Sequence, residues 1–173
     1  MYTLGPEEKA SVVMAYTQAG LLRGELVTMQ NTRVNSWFRT DSAPEHLHLH
    51  KVQSLQAVGG AIKSLAYPEL LLPLPLIIGF HVAPPSQEPL DYDTQEDNRV
   101  PRPVTVIMGL FVMDCMVRIS AQTDLATSLQ ISHSQWFSAY DAKITSPYMP
   151  QMTPIQVPML LVRPTHVAFV LTG

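Results

Sequence analysis

Gly24-Glu25-Leu26-Val27, Arg33-Val34-Asn35 and Arg39-Thr40-Asp41 are echoed later in the chain. The later series reads Gly109-Leu110-Phe111-Val112, Arg118-Ile119-Ser120 and Gln122-Thr123-Asp124. The Gly and Arg pairs lie 85 positions apart (109 − 24, 118 − 33), and the Thr-Asp pairs 83 apart (123 − 40). A further match, Leu74-Pro75-Leu76-Ile77-Ile78 against Val157-Pro158-Met159-Leu160-Leu161, repeats the spacing of 83 (157 − 74). Matches in one order at nearly one spacing predict a duplicated structural unit.

The residues around the repeat decide what kind of unit it is. Fifteen prolines are scattered along 173 residues, and each removes a backbone donor and obstructs the preceding helical turn. Short strands accommodate that pattern. Ser11–Thr17, Leu21–Met29, Arg33–Arg39 and His46–Leu55 are read as strands, with Gly59-Gly60 as a break and Ile62–Leu65 and Leu70–Val82 closing the first unit. Val104–Asp114 and Val117–Thr123 are read as a hairpin turning at Asp114-Cys115-Met116. Thr123-Asp124 offers helix-capping side chains, so Leu125–Ser132 is expected as a short helix. Phe137–Thr145, Ile155–Val162 and His166–Thr172 supply the last strands. The expectation is an all-β protein: two tandem, related small barrels or bent antiparallel sheets, with one short helix in the second unit. The units are placed at 1–83 and 104–173, joined by an acidic, proline-rich arm at 84–103 whose anchors would be Leu90 and Tyr92.

The Gly24-Glu25-Leu26 strand, the Arg33-Val34 turn and the following Asp41 resemble uncharacterised bacterial tandem small-barrel domains. The order of elements is similar to that of Sm and SH3-like barrels. The resemblance covers most of each unit and brings no activity with it. Likeness to Sm proteins implies ring assembly and RNA binding, although their Asp and Asn loop pattern is not evident here.

Bulk composition bounds the function. The hydrophobic content of 46% suits a packed core, while charged residues make up only 14%, which is low and fits burial against other subunits. A net charge of −3 from 11 Lys and Arg against 14 Asp and Glu offers no basic patch, which argues against nucleic-acid binding. The one cysteine, Cys115, excludes an internal disulfide. Glu7, Glu8 and Lys9 interrupt the N-terminal stretch, which is not patterned as a secretory leader. The most apolar stretch, Leu70–Phe80, is too short to span a bilayer and holds Pro73 and Pro75. A cytoplasmic protein is expected.

Glu45-His46-Leu47-His48-Leu49-His50 is the one stretch with chemical character. On a strand, His46, His48 and His50 share a face while Leu47 and Leu49 point to the core. Imidazoles at that spacing can ligate a transition metal, with His81, Glu45 or Asp41 as conceivable additions. The same face could instead meet solvent, or a partner whose contact responds to histidine protonation. Asp41 and Asp124 are read as acceptors for backbone amides, and Arg33 and Arg118 as partners for those acids or for acids of the arm. Asp91–Asp97 has spaced acids but lacks the glycine and closing glutamate of a calcium loop. No nucleophile motif, phosphate loop or paired-cysteine signature occurs. Met113, Met116, Met149, Met152 and Met159 of the second unit are read as filling the core or an interface. The reading is of a non-enzymatic structural or protein-interaction module that self-associates. A metal- or small-ligand-binding protein and an Sm-like RNA-binding ring are the alternatives.

Overall fold

A computed structural model describes residues 2–171. The chain divides into two compact units between Pro89 and Leu90. Ten strands are formed among the described residues, and every strand pair within the units is antiparallel. The fold class is all-β.

In the first unit β1 (Glu8–Thr17), β2 (Gly20–Met29), β3 (His46–Val58) and β4 (Ala61–Pro73) form a meander. β5 (Gly79–Val82) returns to pair with β1, giving the order β5-β1-β2-β3-β4. Gly59 and Gly60 both take positive φ, 58° and 80°, as a two-residue hairpin turn requires. The apolar alternation of β1 and β3 buries Val13, Ala15, Leu47 and Leu49, and Phe38 stacks on Phe80 at 4.0 Å inside this core.

The second unit repeats the plan. β6 (Arg99–Met108), β7 (Phe111–Ser120), β8 (Phe137–Thr145) and β9 (Ile155–Val162) form the meander, and β10 (Ala168–Val170) pairs with β6. Val106, Met108, Phe111, Met113, Ile144 and Leu160 fill its core, so Met113 has the role expected of it.

The two units share an order of elements, but not in the register that the sequence matches suggest. β1 ends at Thr17 and β6 at Met108, 91 positions later (108 − 17). Short helices begin at Val34 and Leu125, again 91 apart (125 − 34). A bulge with φ of 50° falls at Lys51 in β3 and at Asp141 in β8. Gly24 faces the first bulge, and Cys115 lies where β7 slips register against β8. Gly24 and Gly109 are therefore not counterparts: Gly109 sits in the β6–β7 turn with φ of 59°. Leu74–Leu76 is a 3-10 turn, whereas Val157–Leu161 lies inside β9. The true counterpart of that turn is Pro164–His166. The matched words are common strand and turn vocabulary, and such words recur without marking equivalent positions.

Three further expectations change. Arg33–Arg39 is not a strand: α1 (Val34–Trp37) is one helical turn. Val34, Trp37 and Phe38 stand at i, i+3 and i+4, and Val34 and Phe38 are buried. A helix thus occurs in each unit. Asp114-Cys115-Met116 is not a turn but the middle of β7, because Gly109-Leu110 makes the hairpin. The stretch Arg99–Pro103 belongs to β6, paired with Ser120–Met116, and not to a free arm. Among the described residues β10 pairs only with Thr105–Ile107, so no described strand of the unit calls on the missing donors of Pro101 and Pro103 from a second side.

The rest of the arm is tied down by side chains. The Glu88 carboxylate accepts the backbone N–H groups of Val34 and of Asn35, the latter at 3.0 Å. It thereby supplies the cap that Arg33, at the N-cap position of α1, does not. In α2 (Leu125–Ile131) the N-cap is Asp124, which accepts from the Thr127 N–H at 2.7 Å. That backbone bond, followed by the side-chain bond to Thr127, holds the Asp124 carboxyl below its ordinary pKa. Asp41 lies exposed in the turn after α1. Asp91 accepts from Ser138 Oγ at 2.7 Å and Tyr140 Oη at 2.6 Å. Tyr92 packs edge-on to Tyr140, and the Arg118 guanidinium lies 4.2 Å from the Tyr92 ring centre. Arg118 also reaches the Glu96 carboxylate at 3.8 Å. Tyr92 is an anchor as expected, whereas Leu90 is exposed.

Candidate functional site

β3 places His46, His48 and His50 in one row, but only two of them come together with a third ligand-type group. His50 is paired directly with Glu69 on β4, and His48 is paired with Leu71. Glu69 therefore sits straight across from one histidine and diagonally from the other, both within reach of a long side chain. The His48 Nε2 to Glu69 Oε2 distance is 3.2 Å, and His50 Nδ1 to Glu69 Oε1 is 3.7 Å. The two imidazole rings lie 4.3 Å apart. Among the described residues, His48, His50 and Glu69 form one cluster whose ligand-type atoms all fall within 4.8 Å of one another.

His46 is not part of it. It stands exposed beside Pro73, two pairs beyond His48 along the ladder. Glu45 and Asp41 are likewise exposed and outside the cluster. His81 is separated more decisively. It is 1% exposed, on β5, with Nε2 3.2 Å from the Tyr16 hydroxyl and Nδ1 3.0 Å from the Val82 carbonyl. Burial pulls its pKa down to about 4, and the Val82 carbonyl opposes the shift. Burial also raises the pKa of Tyr16. His81 is a neutral core residue.

The environment of the cluster is asymmetric. The side chains of His48 and Glu69 are 51% and 53% exposed, whereas that of His50 is 8% exposed. The N-terminal segment makes the difference: the Tyr2 ring lies 4.8 Å from the His50 ring. Tyr2 Oη donates to Glu8 Oε2 at 2.5 Å, and the same oxygen accepts the Gly5 N–H at 2.7 Å. The Tyr2 bond lowers the Glu8 pKa, and Glu8 in turn raises that of Tyr2. Sequence alternation identifies the histidine row but gives no sign that Tyr2 covers one end of it. Glu69 is also invisible to that reading, since it lies 19 residues from His50 (69 − 50) and is brought in by strand register.

A cleft of about 340 Å3 adjoins His50 and Glu69. Tyr2, Leu4, Val27 and Pro68 give it an apolar lining, and Glu25 and Lys51, paired at 2.9 Å, stand at its edge. A second cleft, of about 390 Å3, lies in the other unit between Ser134, Arg163 and Phe169. There the Arg163 guanidinium stacks 4.5 Å from the Trp136 ring centre, and partial burial lowers its pKa.

Cys115 is buried, and its thiol faces the Val104 carbonyl at 3.6 Å. Burial, with Asp114 adding repulsion, pushes the thiol pKa up to about 12. A thiol so held is not an activated nucleophile. No described helix is long and apolar enough to cross a membrane. Comparison with protein-family models, with curated proteins and with solved structures gives no match to this chain.

Proposed function

We propose that the protein is a non-enzymatic interaction module that associates with itself through the β4 edge. The observation that carries this is the exposure of β4. It is a 13-residue strand, paired among the described residues of its unit only to β3, and Leu72 is its one buried residue. The Ala57 N–H still bonds the Ala19 carbonyl at 2.9 Å, and beyond it the β3–β4 hairpin runs past the start of β2, with Val58–Ala61 exposed. Leu65 and Leu71 are exposed on it, and Lys63 and Glu69 are its only charges. A long edge with so little charge presents unpaired backbone groups to any similar strand. Pro68 lacks a donor, which restricts uninterrupted pairing to Ala61–Tyr67. A second copy brings the same strand with the same low charge, and two-fold antiparallel pairing satisfies both edges at once. The Sm-type alternative of RNA binding draws no support from the charge balance.

Sedimentation or light-scattering mass at micromolar concentration tests the reading. The expected result is a dimer or a larger assembly, reduced to monomer by Leu65→Lys with the far-ultraviolet circular dichroism unchanged. A monomeric parent protein, or an assembly indifferent to charges placed on β4, would refute it.

A further inference from the structure

We propose that His48, His50 and Glu69 form a three-ligand site for a divalent transition ion of the zinc class, with a fourth position open to solvent and the adjoining cleft. This goes beyond self-association and does not depend on it.

The donor set suits such an ion. Two imidazole nitrogens and one carboxylate oxygen are borderline ligands that favour zinc, nickel or cobalt over calcium and magnesium, which take oxygen. Zinc binds imidazole nitrogen at about 2.0–2.1 Å and carboxylate oxygen at about 2.0–2.2 Å, so donors around a tetrahedral ion stand about 3.4 Å apart. His48 Nε2 lies 3.2 Å from Glu69 Oε2 and His50 Nδ1 lies 3.7 Å from Glu69 Oε1, and with one ligand atom taken from each residue no pair exceeds 4.8 Å. Bringing the widest pair to that spacing takes at most about 1.4 Å (4.8 − 3.4). His48 and Glu69 are each about half exposed, so side-chain rotation can supply it without moving the strands.

The backbone positions are fixed by pairing in constant register on both sides of Lys51. His48, His50 and Glu69 lie in the His46–His50 to Glu69–Pro73 part of the β3–β4 pairing, with Leu47 and Leu49 packed into the core beneath. Ligands on adjacent strands cost less to order than ligands on loops, because the scaffold already holds them. The Tyr2 ring against His50 shields one side, so an ion held there would be open on the side of His48, Glu69 and the cleft. Three protein ligands with one open position is the arrangement of an exchangeable zinc site, where water or an incoming anionic group takes the fourth place. Selection of this trio over the His46–His48–His50 row follows from register: His46 pairs with Pro73, which offers no ligand.

The test uses tag-free, chelator-treated full-length protein titrated with Zn2+ by calorimetry and with Co2+ by visible absorption. The proposal expects one ion per chain and a Co2+ d–d band of low-symmetry coordination. His48→Ala and Glu69→Gln, both exposed and compatible with folding, should each weaken binding by about tenfold or more. His46→Ala should leave it unchanged. Absence of saturable binding, or equal loss with His46→Ala, would overturn the proposal. Binding that survives Glu69→Gln would also do so, since it would mark a simple histidine row.

Discussion

Acid should destabilise the first unit through His81, and the size of the effect follows from its surroundings. The Val82 carbonyl can only accept, so Nδ1 carries the proton and donates to it, leaving Nε2 to accept from the Tyr16 hydroxyl. Folding thus selects the neutral ring, with the folded pKa at about 4 against an ordinary value of 6.5. Between these two values the unfolded chain binds a proton that the folded chain refuses, so stability falls as pH falls. The contribution is fully present above pH 6.5. Linkage gives a loss of about 2 kcal/mol by pH 5 and about 3 kcal/mol by pH 4. The perturbation is His81→Gln, which does not titrate. Urea unfolding at pH 7.5 and pH 5.0 reads the free energies while most carboxylates remain ionised. His81→Gln is expected to be less stable at pH 7.5, and its deficit should shrink by about 2 kcal/mol at pH 5.0. If both proteins lose the same stability over that interval, the buried neutral histidine is not the source and the reasoning fails.

Two further outcomes follow from packing. A Cβ on Gly20 would lie 2.1 Å from the Leu55 carbonyl oxygen, a backbone atom, so Gly20→Ala must separate β2 from β3. A loss of about 3 kcal/mol is expected in urea unfolding, and a change below about 1 kcal/mol would contradict the contact. Cys115 should resist a thiol reagent at pH 8 in the folded protein and react at once in urea, because its thiol is buried and its pKa is raised. Fast labelling of folded protein would show that β7 opens readily or that the thiol is not enclosed.

The strand content was legible because two-residue alternation reports directly on burial. Leu47 and Leu49 alternate with histidines and are fully buried, and Ser11–Thr17 alternates through Val13 and Ala15 in the same way. Arg33–Arg39 reads as a strand because Val34 and Phe38, four apart, fit either period over so short a run. What makes the helix is a carboxylate from elsewhere, Glu88, which accepts the first two helical N–H groups. No local pattern contains that contact. The sequence matches fall on positions that the shared order of elements does not pair: Gly24 and Cys115 hold corresponding places at the bulges though they share no chemistry. The fold preserves the bulge and the register there, not the residue.

The candidate site divides along the same line. Sequence alone determined that His46, His48 and His50 share a face, since alternation is a property of one strand. It also determined the low charge of Ala61–Pro73 and the all-β class. Only the tertiary structure decided that Glu69 joins His48 and His50, that His46 stands apart, that Tyr2 covers His50 and that His81 is sealed in the core. Each depends on which strands are neighbours and in what register. The β3–β4 register is the same on both sides of Lys51 and runs out from the Gly59-Gly60 turn, whereas the bulge at Lys51 shifts β3 against β2, and which strands become neighbours is decided by burial beyond any one segment.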